Sequence, residues 1–184
     1  MDCGSIYVNP APCQTNLISF YPSDYYSDNP PLIEALLVGA IKRFYGRNRF
    51  SLLLSKLLTI SGPKKILEIG PGNGDNLIPF LSQGIQTFAI EPNERLASTV
   101  TKLGVKVYNG FYQKATELPF DFDAVILSHV LEHEYEPFKM LEYCKEHMKV
   151  GGLIYVEIPT LDSPSFRVFS RYWGGLSFPC IYHS

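Results

Sequence analysis

The spacing of apolar and polar residues divides the chain into three stretches. Residues 1–31 show no lasting periodicity and are rich in Pro, Asn, Ser and Tyr, which predicts an irregular N-terminal segment. Apolar residues recur at threes and fours from Leu32 to Ile60, which predicts a helical segment over residues 32–62. Ser61-Gly62-Pro63 predicts its end, because Gly accepts a left-handed backbone and Pro cannot continue a helix.

From residue 63 to residue 184, short apolar runs alternate with helical patterns. Helices are predicted up to Gly84, from Asn93 to Gly104, and from Pro137 to about Met148. The predicted strands are Ile66–Ile69, Thr87–Glu91, Val105–Tyr108, Ala124–Leu127 and Leu153–Ile158. Strand–helix units of this length are typical of a parallel sheet with helices on both faces. The fold class is therefore α/β, a doubly wound Rossmann-like domain, with its ligand crevice at the carboxyl ends of the strands.

Composition and charge indicate which partners and which cellular compartment to expect for this domain. A chain of 184 residues is long enough for one domain with a substantial core. The formal net charge is −2 and no basic block is present, so we expect no nucleic-acid partner. The start lacks a signal-peptide pattern, and the longest apolar run, Ala35 to Ile41, is far shorter than the roughly 20 residues of a membrane span. These features predict a cytoplasmic protein with no membrane partner.

The cysteines give no metal or disulfide pattern. Their spacing matches neither a disulfide framework nor a paired zinc motif, and the four are Cys3, Cys13, Cys144 and Cys180. We therefore expect no bound metal. The oligomeric state does not follow from the sequence.

The segment from Lys65 to Gly74 carries the strongest chemical signal. An apolar strand contains a carboxylate, and glycines follow at alternate positions in the order Glu68, Gly70, Gly72 and Gly74. Glycine lets a backbone turn sharply and approach a ligand closely, and a following helix presents free amides to it. Glu91 ends the next predicted strand about 20 residues later, where a carboxylate can accept hydrogen bonds from ribose hydroxyls. The two features together predict a nucleotide-like cofactor.

These motifs, and two later segments, resemble the class I S-adenosylmethionine-dependent methyltransferases of the small-molecule subgroup. The resemblance includes the fourth strand Phe122-Asp123-Ala124-Val125-Ile126-Leu127 and the segment that follows it, Ser128-His129-Val130-Leu131-Glu132-His133. It continues in Lys149-Val150-Gly151-Gly152-Leu153-Ile154, which is similar to the family's entry to strand five. The family's sheet usually has seven strands, so the resemblance implies that strands six and seven are missing here.

The resemblance implies S-adenosylmethionine as cofactor and a small-molecule methyl acceptor, such as a sugar nucleotide or a quinone-like compound. It places the cofactor against Glu68, Gly70, Pro71, Gly72, Gly74, Glu91, Pro92, Ser128 and His129. His129 and His183 are the candidate catalytic bases for an acceptor that must lose a proton, with Tyr182 a weaker candidate. The segment Asn109-Gly110-Phe111-Tyr112 lacks the acid that usually contacts adenine.

Three alternatives remain at this point. The segment from His129 to His133 also matches H-x-x-E-H, a zinc signature of proteases that requires both histidines on one helix. An NAD-dependent oxidoreductase shares the glycine turn and the acid Glu91, although Asp75 occupies the place of the third glycine in the dinucleotide pattern. The third alternative is a truncated or degenerate cofactor-binding domain without catalytic activity.

Overall fold

The structure, a computed structural model, describes residues 49–169. The predicted irregular segment 1–31, most of the predicted helical segment 32–62, and the last part of the predicted domain 63–184 lie outside these residues. The described elements are helix α1 (Ser51–Thr59), strand β1 (Lys65–Ile69), helix α2 (Ile78–Leu81), strand β2 (Gln86–Glu91), helix α3 (Glu94–Lys102), strand β3 (Lys106–Asn109), strand β4 (Phe122–Ser128), helix α4 (Pro137–His147), strand β5 (Met148–Glu157) and helix α5 (Pro164–Phe169).

The strands form one sheet in the order β3-β2-β1-β4-β5, and every pairing is parallel. The chain moves outward from β1 through β2 to β3, and then returns to the other side of β1 to form β4 and β5. This reversal lies between β1 and β4, so the crevice of a doubly wound sheet opens at their carboxyl ends. The predicted fold class is confirmed.

Alternating side chains of the strands build a core on each face of the sheet. On one face, Ile66, Ala124 and Ile126 pack with Leu57 of α1 and Phe80 of α2. On the other face, strand residues pack with α4 and with the segment after β3, and this cluster contains Leu67, Ile69, Val125, Leu127, Tyr112, Met140 and Cys144. Successive strand residues point to opposite faces, which is why nearly uninterrupted apolar runs predict a sheet covered on both sides.

Two predicted elements differ from those observed. The helix expected after the glycine turn is a 3-10 helix, Asp75–Leu77, followed by the four residues of α2 and a turn at Gly84. Strand β5 begins at Met148, which pairs with Phe122, and not at Leu153. Its register with β4 is irregular between Phe122 and Ala124, and Gly151 and Gly152 lie inside the strand and not before it.

The end of α1 agrees with the prediction from Ser61-Gly62-Pro63. The helix ends at Thr59, Ile60 is extended, and Gly62 has a left-handed backbone with φ of 84°. Within residues 49–169, the structure contains no helix that is long and apolar enough to cross a membrane.

Candidate cofactor and methyl-transfer site

The glycine turn begins as a continuation of the sheet. The amide of Gly70 donates a hydrogen bond to the carbonyl of Ile90 at 2.9 Å, one residue beyond the end of β1. All three glycines of the turn are left-handed, with φ of 67° at Gly70, 57° at Gly72 and 83° at Gly74. L-residues with a side chain rarely adopt this backbone. The turn therefore requires glycine for its own conformation before any ligand is considered.

Packing adds a second reason for two of these glycines. A Cβ at Gly70 would lie 2.7 Å from Cγ2 of Val130, and a Cβ at Gly74 would lie 2.8 Å from Cδ1 of Leu103. Gly70 thus lets the turn approach the segment after β4, and Gly74 lets it approach the end of α3. The predicted contacts of Gly70, Pro71, Gly72 and Gly74 with a cofactor stay predictions, and Gly74 has a packing role that is independent of them.

Glu68 of β1 is a buried carboxylate next to the turn. Its side chain is 0% exposed, and Oε1 accepts a hydrogen bond from Nδ2 of Asn76 at 2.7 Å. Oε2 has no hydrogen-bond partner within the part of the chain that the structure describes. Burial raises the pKa of Glu68 to about 8, although the Asn76 hydrogen bond and the nearby charge of Arg49 oppose this rise. A buried acceptor without a partner at this edge fits a cationic ligand group such as an ammonium.

Glu91 ends β2 and contacts the glycine turn. Its carboxylate is 5% exposed and accepts the backbone amide of Asn93 at 2.9 Å and that of Gly72. Burial raises its pKa, and the two amides lower it. Asn93 also caps α3 by accepting the amide of Leu96 at 3.2 Å, which is a structural role. Pro92, which lies between Glu91 and Asn93, is exposed.

Asn109 and Gly110 hold the same strand end from the other side. Nδ2 of Asn109 and the amide of Gly110 donate to the carbonyl of Glu91, at 2.8 and 3.1 Å. Phe111 follows with its side chain 49% exposed, while Tyr112 is buried and packs on the ring of Tyr143. The segment without the usual acid is therefore fixed beside Glu91, with Phe111 accessible.

The ends of β4 and β5 carry a network of charged side chains. Arg49 forms an ion pair with Glu157 and donates a hydrogen bond from Nη2 to Oγ of the buried Ser128 at 2.7 Å. The hydroxyl of Tyr155 also donates to Glu157, at 2.8 Å. Burial raises the pKa of Glu157, but its interactions with His129, Tyr155 and Arg49 outweigh this effect and lower that pKa to about 2.

His129 directly follows β4 and completes this network. Its Nδ1 lies 3.5 Å from Oε1 of Glu132, and its Nε2 lies 3.6 Å from Oε1 of Glu157. Interaction with Glu132 and then with Glu157 raises the pKa of His129 to about 9, against the effect of burial. The ring is therefore positively charged near neutral pH, which does not favour its predicted role as a general base.

The structure does not place His129 and His133 on one helix, as the zinc-protease alternative requires. His129 has a left-handed backbone at a strand end, and His133 is the last residue of a separate 3-10 helix, Leu131–His133. In the described range 49–169, no group of three or more His, Cys, Asp or Glu side chains is placed to hold a metal ion. The second candidate base, His183, and Tyr182 lie outside that range.

The structure adds polar residues that the sequence analysis missed, namely Arg49, Asn76 and Glu157. Arg49 and Glu157 are 108 positions apart, and no local pattern connects them. Asn76 lies eight residues after Glu68, inside the segment that the sequence pattern predicts as a regular helix. A polar residue at the carboxyl end of a strand is a usable signal for Glu157, since ligands of open α/β sheets bind at this edge.

This sheet order and the crevice beside β1 and β4 define a doubly wound α/β domain of the nucleotide-binding kind. A family described as "Methyltransferase domain" matches residues 45–182, which is more than half of the chain. The chain belongs to this family, as the resemblance in its motifs predicts.

Two solved structures and one curated protein are similar to the chain. A SAM-dependent methyltransferase from Archaeoglobus fulgidus has a TM-score of 0.52 at 22% identity, over 70% of this chain and 59% of that one. A SAM-dependent methyltransferase from Thermotoga maritima has a TM-score of 0.50 at 25% identity, over 76% and 66%. An uncharacterized protein of Methanocaldococcus jannaschii is 34% identical over 100 residues, which are 53% of this chain and 45% of that protein. The chain thus spans less than two thirds of the relatives it matches.

Proposed function

We propose that this chain is a methyltransferase domain that transfers a methyl group from S-adenosylmethionine to a small-molecule acceptor. The observation that carries the proposal is the contact between the glycine turn and the acid of β2, where the amide of Gly72 reaches the carboxylate of Glu91. Family membership over residues 45–182 supports it. The methyl donor, S-adenosylmethionine, is the one predicted from the sequence, and it agrees with the family and with the similar SAM-dependent enzyme of Archaeoglobus fulgidus.

The residues at the edge of the sheet fit the parts of this cofactor. Glu68 offers an unpaired buried oxygen to an ammonium group, and Glu91 offers its carboxylate to ribose hydroxyls. The left-handed glycines let the backbone approach the ligand between these two acids. Pro71 lies within this turn, and Pro92 directly follows the end of β2. Ser128 and His129 would lie near the reacting sulfur.

The cofactor supplies an activated methyl group, so the protein's task is alignment and exclusion of water. Arg49 and Glu157 fix the ends of β4 and β5, and Arg49 holds the hydroxyl of Ser128. A positive His129 beside the acceptor would stabilise negative charge on it. The acceptor class that we propose, a sugar nucleotide or a quinone-like molecule, draws its support from the resemblance to small-molecule methyltransferases.

Substitution of Glu91 tests this proposal. Glu91→Ala removes a buried acceptor, and loss of a hydrogen bond to a charged group costs about 1.5–3 kcal/mol, so the affinity for S-adenosylmethionine should fall at least about tenfold. Isothermal titration calorimetry measures this directly. Glu94→Ala is the matched control, because Glu94 is exposed three residues further along. Equal affinity in the Glu91 variant and the wild type would refute the ribose assignment.

Two further titrations separate the alternatives. Binding of NAD without binding of S-adenosylmethionine would indicate an oxidoreductase, whose dinucleotide pattern Asp75 interrupts. Binding of S-adenosylmethionine without transfer of a labelled methyl group to any of a panel of sugar nucleotides and quinols would favour a non-catalytic cofactor-binding domain.

A further inference from the structure

His129 has an unusual backbone next to the proposed methyl-transfer site. Its φ of 56° lies in the left-handed region, which no other residue except glycine adopts between residues 49 and 169. Such a conformation costs of order 1–3 kcal/mol and persists where the surroundings impose it. The amide of His129 donates to the carbonyl of Glu157 at 2.8 Å, which fixes this turn to the end of β5. This hydrogen bond therefore fixes the backbone of His129 at one place on the sheet edge.

The ring of His129 lies between two carboxylates from different elements. Glu132, in the segment after β4, places Oε1 3.5 Å from Nδ1 of the ring. Glu157, on β5, places Oε1 3.6 Å from Nε2. Glu157 also binds Arg49 and Tyr155, so its charge is shared among several partners. A ring that faces an acceptor at each nitrogen is stabilised with a proton on both, because each N–H then has a partner.

Glu132 differs from Glu157 in its surroundings. Its side chain is only 2% exposed, and its Oε2 has no hydrogen-bond partner among the described residues. Burial of a carboxylate is costly unless an opposite charge compensates for it. Among the described residues, the ring of His129 lies 3.5 Å from Oε1 of Glu132 and supplies such a charge when it is protonated.

We infer that Glu132 is the positioning residue of His129: with Glu157, its buried carboxylate holds the ring in one orientation and protonated on both nitrogens. This inference rests on the proposed function only in placing His129 beside the methyl acceptor. It follows that His129 donates hydrogen bonds and does not accept the acceptor's proton. A fixed positive charge there favours an acceptor that reacts as an oxyanion, because the charge lowers the pKa of a nearby hydroxyl.

An NMR titration of the histidine ring protons in the full chain tests the inference. In the wild type we expect His129 to titrate well above its ordinary 6.5, at a pKa of about 9. Glu132→Gln keeps the size of the side chain and removes its charge, so the titration midpoint of His129 should fall by at least about one pH unit. The His129→Asn variant assigns the signal. Glu134→Gln is the matched control, because the Glu134 carboxylate interacts with the hydroxyl of Tyr112, and it should leave the midpoint unchanged.

The inference is overturned if wild-type His129 titrates near 6.5, or if Glu132→Gln leaves the midpoint where it is in the wild type. Should Glu132→Gln not fold, the wild-type midpoint still decides, and Glu132→Asp, which keeps the charge, should retain an elevated one. Calorimetry with S-adenosylmethionine on the same samples separates this inference from the proposed function. A raised midpoint in a chain that binds no S-adenosylmethionine supports the role of Glu132 and refutes the function, whereas binding with an ordinary midpoint does the opposite.

Discussion

Glu68 and Glu157 are both glutamates near the carboxyl ends of strands in the same sheet, yet their environments are opposite. Glu68 on β1 is fully buried and has one neutral hydrogen-bond donor, Asn76, so its pKa is raised to about 8. Glu157 on β5 is partly exposed and meets Arg49, Tyr155 and His129, so its pKa is lowered to about 2. The side of the edge formed by β1 and β2 is built from glycines and backbone amides. The side formed by β4 and β5 is built from charged side chains.

The difference shows how one sheet edge can present two kinds of surface. On the β1 side, burial keeps Glu68 protonated near neutral pH in the free protein, and a cationic ligand at its unpartnered oxygen would favour the charged form. On the β5 side, the charges already neutralise one another, which fixes geometry without requiring a ligand. The first side is suited to binding the cofactor and the second to orienting what reacts with it.

The largest expected effect is that of Glu68→Gln. The folded pKa of Glu68, about 8, exceeds the ordinary 4.5, so the folded state retains a proton that the unfolded state releases, and the free energy of unfolding falls as pH rises from about 4.5 to about 8. Gln does not ionise, so the free energy of unfolding of the variant does not fall in this way. The free energy of unfolding of the variant should equal that of the wild type near pH 5. Near pH 8 it should exceed the wild-type value by an amount on the order of a few kcal/mol. Urea unfolding at the two pH values measures the difference.

Glu142→Gln serves as the control for that comparison, because Glu142 is an exposed carboxylate on α4. A Glu68 variant that is destabilised equally at both pH values would contradict the assignment of a raised pKa.

The next effect concerns the glycine turn. Gly74→Ala places a Cβ 2.8 Å from Leu103 and 3.2 Å from Val100 on a backbone with φ of 83°. Strain and overpacking together should lower the free energy of unfolding by about 2 kcal/mol or more. Gly84→Ala is a matched control, since Gly84 has φ of 69° with nothing within 4 Å of the added atom. The free energy of unfolding of Gly84→Ala should fall by only about 1 kcal/mol. Equal decreases in the two variants would exclude the packing role of Gly74.

The smallest effect is that of Glu157→Gln. The folded pKa of Glu157 lies below its ordinary value, so its contribution to stability is present above about pH 4.5 and is lost as pH falls towards 2. Because the site is partly exposed, we expect a loss of only about 1 kcal/mol at pH 7. Urea unfolding at pH 7 and pH 3 should show the difference between variant and wild type shrinking in acid. A difference that grows in acid would be the wrong sign.

The β1–β2 side of the edge follows from the sequence more fully than the β4–β5 side. Glu68, the glycines and Glu91 lie within about 25 consecutive residues, so their spacing predicts both the turn and the acid at the next strand end. The local detail differs from the prediction, because a 3-10 helix with Asn76 inside it replaces the first turns of the expected helix. The irregularity in β5 depends on its pairing with Phe122, which a single segment does not reveal.

The network on β4 and β5 depends on contacts that are distant in the chain. Arg49 and Glu157 lie 108 positions apart, and each looks like an ordinary surface charge in its own segment. The motif predicts His129 as a candidate, but its charge state depends on Glu132 and also on Glu157 from another strand. Sequence patterns locate a side chain on an edge; they do not give its electrostatic partners.

The hydrogen bond from Gly70 to Ile90 has a consequence for how a ligand could enter. Because this amide belongs to the sheet ladder, we expect its hydrogen–deuterium exchange to be as slow as that of the neighbouring strand residues. The amide of Gly72 donates to the Glu91 carboxylate outside the sheet ladder, so it should exchange faster. Opening of the turn would then begin between Gly70 and Gly72, with the sheet itself as its immobile side.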